Sequence, residues 1–260
     1  MIELSFSLSE LEFFLLIVVR LTSFILVAPF FRITSVPARF KVAFGIFVSI
    51  VIYQFVRPES FLDYSSVWGY AIIVLKEVVV GLLIGLGANI CFSIITFAGR
   101  VIDMEMGLSM ASVMDPSTRE NTTVTGMLLN YLVTLVLIST GMHRYLIQAI
   151  TETYELIPVN GAEFSLAELL NSWVSFMTDF FSIGFRICMP VMASIMILNG
   201  ILAILARVAP QLNMFAVGLQ LKILVGLSVL FITIGVLPYV SEYVYREMKV
   251  MIVSFVEAMM

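Results

Sequence analysis

Residues 67–98 read VWGYAIIVLKEVVVGLLIGLGANICFSIITFA, thirty-two positions broken by only two charges, the adjacent Lys76 and Glu77. About 20 apolar residues are enough for a helix to cross the hydrocarbon of a bilayer. A run of this length and composition therefore predicts a membrane helix and sets the class of the whole protein. Five further apolar stretches flank it: Phe13–Phe31, interrupted by Arg20, Phe40–Val56, Val124–Met142, Phe180–Ala206, which contains Arg186 and Pro190, and Val208–Val240 around Lys222. The expectation is an all-α integral membrane protein with about six long apolar helices. Composition agrees: of 260 residues 61% are hydrophobic and only 12% charged. Soluble domains average nearer a quarter charged, because they need polar residues to cover their surface.

The same arithmetic excludes other classes. Fourteen Lys and Arg stand against 18 Asp and Glu, a net charge of -4, where a general nucleic-acid binder would be basic. One histidine, His143, and two cysteines, Cys91 and Cys188, leave almost nothing for a metal site, and no cofactor is expected. Both cysteines lie inside apolar runs, which argues against a structural disulfide. An intramembrane enzyme would need a nucleophile with a base, or a metal cluster. No HExxH or GxSxG pattern occurs, and the Asp103/Glu105 pair diverges if helical and is solvated if in a loop. The N-terminal region carries Glu3, Glu10 and Glu12 in place of a basic stretch, so the first span is expected to be retained.

With six spans, alternate loops share a side. Arg32, Arg39, Lys41, Arg100, Arg119 and Arg207 fall on one side, and Arg57, Arg144, Arg246 and Lys249 on the other. The excess of positive residues belongs in the cytoplasm, which places both termini outside it.

The joints between spans carry their own signals. In residues 143–178, Leu146, Ile147, Ile150 and Tyr154 fall at helical spacing, and Pro158, Asn160 and Gly161 read as a turn. Ser165 followed by Glu168 is a capping-box pattern opening another helix, so a surface helix-turn-helix is expected. From Pro238 to Met260 the tail is amphipathic, with Val244, Met248, Met251, Ile252, Phe255 and Met259 on one face and Glu242, Arg246, Lys249 and Glu257 on the other. Such a helix suits a membrane surface or a partner. Pro37, Pro116 and Pro210 sit at segment boundaries, and Gly81, Gly85, Gly87 and Ala88 form a small-residue strip that allows close helix packing.

Arg20, Lys76, Glu77, Arg186 and Lys222 lie where lipid should be. A charge at mid-bilayer costs roughly 2.5–3.5 kcal/mol on insertion scales. Snorkelling, or pairing of Lys76 with Glu77, is the plain explanation. The alternative is that these helices face protein or water, as in a subunit of an oligomer or a channel.

The most informative segment is GRVIDMEMGLSMASVMDPSTREN, residues 99–121, too polar to span and too apolar for an ordinary exposed loop. Four methionines fall within eleven residues, and Met106, Met110 and Met114 would share one side of any helical turn. Asp115-Pro116 resembles an N-cap with proline at the first helical position. Methionine is unbranched and repacks readily, and hydrophobic constrictions resist ions by dewetting. Such a segment fits a gate that yields to unfolded chains and closes again. It also fits a re-entrant stretch packed as ordinary core.

That segment resembles the central loop of the FliR family of flagellar biosynthesis proteins. So do RVAPQLNMFAVGLQLKILVGL, residues 207–227, and the opening blocks RLTSFILVAPFF, 20–31, and SVPARFKVAFG, 35–45. The blocks run from first span to last, and DPSTREN and RVAPQLN look closer to the flagellar branch than to the injectisome branch.

The resemblance implies a subunit of the type III protein export gate in the bacterial inner membrane, within the flagellar basal body. It also implies assembly with P-type and Q-type membrane subunits into a helical hetero-oligomeric channel, an FlhB-like switch subunit docked at the cytoplasmic mouth, and unfolded exported proteins in transit. In such a subunit a P-like helical region, 1–175 here, is followed by a Q-like helical hairpin, 176–260, ending in the amphipathic helix. The central loop 99–121 would act as a pore plug, carried by Met106, Gly107, Leu108, Met110, Val113, Met114, Asp115, Pro116 and Arg119. Other members present bulky apolar residues where Met110 and Met114 stand. Arg207, Pro210 and Gln211 would point to the cytoplasmic entrance and a partner. Arg20, Lys76, Glu77, Arg186 and Lys222 would be buried charges between subunits. A secondary transporter or ion channel, with the buried charges lining a solute path, is the reading from another class; it would favour internal repeats and broken helices, and the segment around Pro190 is the place for a break.

Overall fold

The computed structural model describes residues 8–29, 31, 36–56, 64, 66–110, 112–114, 121–211 and 213–260. Eight α-helices occur among them: α1 (Leu8–Val27), α2 (Ala38–Tyr53), α3 (Val67–Met106), α4 (Val124–Ser139), α5 (His143–Leu156), α6 (Leu166–Val208), α7 (Met214–Thr233) and α8 (Leu237–Glu257). Short 3-10 turns cover Leu108–Met110 and Ile234–Val236, and two three-residue strands, β1 (Ser112–Met114) and β2 (Asn121–Thr123), pair antiparallel.

The all-helical expectation holds, while six membrane spans are not confirmed. Among the described residues three stretches are long and apolar enough to cross a membrane: Val67–Met106, Leu166–Val208 and Phe215–Glu257, or four if α4 and α5 form one broken span. Helix α2 has 16 residues, about 24 Å at 1.5 Å per residue, short of the ~30 Å hydrocarbon core. Helix α1 carries Glu10, Glu12 and Arg20 within its 20 residues. The stretch expected over 208–240 begins later and runs on into α8. Helix α6 continues unbroken through Pro190, so the break expected of a transporter is absent from it.

The chain divides into two compact units that interleave along the sequence. The first comprises Met1–Cys91, Gly141–Ser175 and Glu247–Met260, and the second Phe92–Thr140 and Phe176–Arg246.

In the first unit the small-residue strip does what its composition promised, on two faces instead of one. A Cβ at Gly81 would run into the Ser23 hydroxyl and the Arg20 carbonyl, and one at Gly85 into the Phe24 carbonyl, so these two positions let the α3 and α1 backbones touch. Gly87 instead faces Phe255 and Met251 of α8. Close backbone approach of this kind is what small residues supply where hydrophobic exclusion from water is weak. Helix α2 is opened by Pro37, whose carbonyl accepts from the Phe40 N–H, and it packs on α1 through Gly45 against Thr22 and through Tyr53 against Phe13 and Phe14.

The helix-turn-helix after Gly141 forms as its spacing predicts. Leu146, Ile150 and Tyr154 are buried, Asn160 takes the left-handed conformation of the turn at φ 70°, and α6 begins directly after Ser165. Its apolar side is core, while Arg144, Gln148, Glu152 and Glu155 are exposed on the other side of α5. The C-terminal helix departs from expectation. Val244, Met248, Met251, Ile252, Phe255 and Met259 are all buried within the chain, so that face serves neither a membrane surface nor a partner. Phe255 meets the Trp173 ring at 5.7 Å, and the carbonyls of Ala258 and Met259 accept from the N–H groups of Ser165 and Glu163 at 3.1 and 2.9 Å.

In the second unit Phe97 is the hub. Its ring lies 5.5, 5.6 and 5.7 Å from those of Phe180, Phe181 and Phe185 on α6, and Gly184 leaves room for it. The free Cys91 and Cys188 are both buried.

Candidate functional site

Two polar nodes stand out in this apolar chain, one in each unit. The first joins Arg20 to Glu77. The Arg20 Nε donates to Glu77 Oε2 at 2.5 Å and Nη2 donates to Oε1 at 3.1 Å, a two-pronged arrangement that suits guanidinium and carboxylate. Neither side chain reaches solvent. The remaining donors of Arg20 reach the carbonyls of Ile157 at 2.9 Å, Pro158 at 3.4 Å and Thr153 at 3.5 Å, the last carbonyls of α5 and the turn after it. Glu77 Oε1 also accepts from the Asn160 N–H at 2.9 Å. Tyr154 lies under the guanidinium, 4.4 Å from ring centroid to Cζ, and donates its hydroxyl to the Ile17 carbonyl at 3.1 Å.

This answers where two of the intramembrane charges go. Glu77 turns to Arg20 instead of its neighbour Lys76, so the pair is satisfied inside the chain and needs no second subunit. Lys76 and Lys222 are half-buried and Arg186 is exposed. Among the described residues none of these three has a hydrogen bond or ion-pair partner.

The second node sits where α3 gives way to the segment singled out for its methionines. Residues 99–106, expected in a loop, are the last two turns of α3. Gly107 then takes the left-handed backbone at φ 81° and ends the helix, the role glycine commonly fills after a last turn. Met106 thus belongs to α3, Met110 to a 3-10 turn and Met114 to a strand, so the three do not share a helical face. Met106 is completely buried, seated where Gly226 of α7 has no side chain. Gly107 lies against Leu219, and Leu108 is half-exposed. Asp115, Pro116 and Arg119 lie outside the described residues, and the helix that Asp115 and Pro116 were expected to open, α4, begins at Val124.

Asp103 lies in α3, where it diverges from Glu105 as expected of a helical pair, but it is fully buried. It accepts a hydrogen bond from the Thr125 N–H at 2.8 Å and a second from the Thr125 hydroxyl. Below this contact Gly99 and Gly126 bring the backbones of α3 and α4 together, and Asn130 donates to Thr96 at 3.1 Å. The residues Thr96, Gly99, Asp103 and Met106 fall at i, i+3, i+7 and i+10, one stripe along the helix. That spacing of small and polar residues was the available signal for this contact.

The turn between α6 and α7 exposes Arg207, Pro210 and Gln211, and Asn213 opens α7 by accepting from the Ala216 N–H at 3.4 Å.

The family described as Bacterial export proteins, family 1, matches residues 11–248. The chain is similar to the flagellar biosynthetic protein FliR of Bacillus subtilis (strain 168), 30% identical over 234 residues, which are 89% of this chain and 90% of the relative. It is similar to the protein of the same name from Caulobacter vibrioides at 26% identity, over 90% of this chain and 92% of the relative. The Escherichia coli (strain K12) protein of that name is 24% identical, over 92% and 91%. Matched nearly from end to end by the family and by relatives of its own length, the chain belongs to the bacterial export proteins, family 1.

Proposed function

We propose that this chain is a structural membrane subunit of the flagellar type III protein export gate in the bacterial inner membrane. The observation that carries the reading is the similarity along about nine-tenths of the chain to relatives named flagellar biosynthetic protein FliR. In this reading the chain assembles with P-type and Q-type membrane subunits into the channel of the basal body, with an FlhB-like subunit at its cytoplasmic mouth. Residues 1–175 form the P-like part and 176–260 the Q-like hairpin. The chain passes unfolded flagellar proteins and catalyses nothing; energy comes from elsewhere in the apparatus.

The segment from Met106 to Arg119 is the plug. In this reading Met110 and Met114 supply an apolar seal that resists water and ions and repacks around whatever chain passes, while Met106 stays seated in the notch at Gly226. Two features of the surface support assembly with other subunits. Helices α6 and α7 expose Met189, Met196, Ile201, Phe215 and Phe231, and Arg186 stands exposed within that apolar stretch with no partner among the described residues. An arginine so placed calls for a carboxylate or a water-filled path, since a charge alone in hydrocarbon is expensive. Lys76 and Lys222 are assigned to such contacts too, and Arg207, Pro210 and Gln211 to the cytoplasmic entrance.

Native mass spectrometry of the chain in mild detergent, co-expressed with its P-type and Q-type neighbours, tests the proposal. A defined hetero-oligomer with this chain as the minority subunit is the expected result. A monomer or homo-oligomer that never captures those partners overturns it and turns Arg186 and Lys222 into candidates for a transporter's solute path.

A further inference from the structure

We infer that Asp103 is a positioning residue that holds shut the base of the segment between α3 and α4. The observation is one of caps and their absence. Helix α4 opens at Thr123, a residue type well suited to capping, yet the Thr123 side chain makes no cap bond and its buried hydroxyl has no partner among the described residues. The first N–H groups of a helix need acceptors. Here the acceptor comes from another helix, where Asp103 takes the N–H of Thr125 and its hydroxyl together. A carboxylate at a helix N-terminus also meets the favourable end of the helix dipole.

Three further contacts surround this clasp. Gly99 lies on Gly126 with no side chain between the backbones. Asn130 reaches Thr96. Met106 fills the notch at Gly226, one residue before the left-handed Gly107. Departure from α3 and return to α4 are therefore fixed to each other by a buried, charge-assisted contact. The consequence for permeability rests on the plug reading above; the clasp itself does not.

The test compares Asp103→Ala with Asp103→Asn, whose amide can still accept from the Thr125 N–H and donate to its hydroxyl. Thr125→Val, which removes the hydroxyl bond alone, is the milder variant. Each is purified as the full chain with its co-expressed gate partners. Amide hydrogen exchange at Thr125 is read against that of Leu129–Leu137, and ion leak is measured in cells carrying the assembled gate. Loss of a charge-assisted hydrogen bond corresponds to an opening equilibrium shifted on the order of tenfold.

The expected result is exchange at Thr125 faster by about that factor in Asp103→Ala, unchanged exchange along the rest of α4, a raised leak, and restoration of both by Asp103→Asn. Should Asp103→Ala fail to assemble, Thr125→Val decides, with a smaller acceleration expected. Unchanged exchange at Thr125 in the assembled variant overturns the clasp. A chain lacking Gly107–Met114 separates the two ideas. If it leaks while Asp103→Ala exchanges fast and stays tight, the positioning role is overturned. If neither leaks but exchange at Thr125 is fast, the clasp stands and the plug reading falls.

Discussion

Arg20 and Glu77, 57 positions apart, meet as a buried two-pronged ion pair in the middle of apolar sequence, 2.5 Å from Nε to Oε2. Around it converge the carbonyl end of α5, the turn at Asn160 and the ring of Tyr154. Three helices and a turn are held by one guanidinium with its donors engaged. A charge isolated there would be far from water, so each partner exists on condition of the other.

Removing one partner should therefore be severe. Glu77→Ala and Arg20→Ala are each expected to destabilise the chain by about 3–5 kcal/mol, because the remaining charge stays buried. The double replacement Arg20→Met with Glu77→Leu should lose less than the sum of the single losses, since it leaves no naked charge. It should still fall short of the parent, because the Ile157 and Pro158 carbonyls lose their donor. Thermal unfolding in detergent ranks the variants, and a double variant as damaged as the sum would show the pair to be uncoupled.

The glycines should separate by what lies in front of them. Gly81→Ala drives a Cβ onto backbone and should cost about 1–3 kcal/mol. Gly226→Ala meets side-chain atoms of Met106 instead of backbone and should be milder. Gly200, inside α6 with open space ahead of it, should gain about 0.5–1 kcal/mol on becoming alanine. The order of melting temperatures checks the series, and a Gly81→Ala variant as stable as Gly200→Ala would contradict the close α1–α3 packing.

The C-terminal helix is core, so Phe255→Ala should destabilise by about 3–5 kcal/mol and lower the steady-state level of the protein. Val253→Ala on the open side of the same helix should stay within about ±0.5 kcal/mol. Equal effects at the two positions would return α8 to the surface role expected from its amphipathic pattern.

Deleting Gly107–Met114 should leave the gate assembled and make cells leaky to small solutes, measured by uptake of a normally excluded dye or by conductance. Unchanged permeability in a correctly assembled complex would remove the plug from the proposed function.

Arg207→Glu reverses a charge at the exposed α6–α7 turn. If that turn meets a partner at the cytoplasmic mouth, motility and export should drop while the chain remains folded, because an exposed substitution has little to disturb internally. Normal motility would argue against a contact there.

Much of this was legible in the sequence wherever the determinants were local. The helix-turn-helix after His143 forms where Leu146, Ile150 and Tyr154 repeat, and α6 starts after Ser165 with Glu168 in its first turn. The buried face of α8 is the face its periodicity drew. Failure began where a local pattern admitted two continuations. Met106, Met110 and Met114 are helically spaced, but Gly107 intervenes and adopts a conformation that ends the helix. Asp103 was judged by its neighbour Glu105, when its partner is Thr125 on the next helix.

Composition and periodicity alone determined that this is a helical membrane protein, and which faces of its helices are apolar, because both follow from the free energy of placing side chains in hydrocarbon or protein instead of water. They also supplied the blocks by which the chain resembles its family. Only the tertiary structure decided which charge answers which, which glycines are contacts, and that the apolar face of the amphipathic tail is buried within the chain. Those outcomes depend on distances between residues far apart in the chain, where one donor finds one acceptor among several, and no periodicity within a single helix encodes the choice.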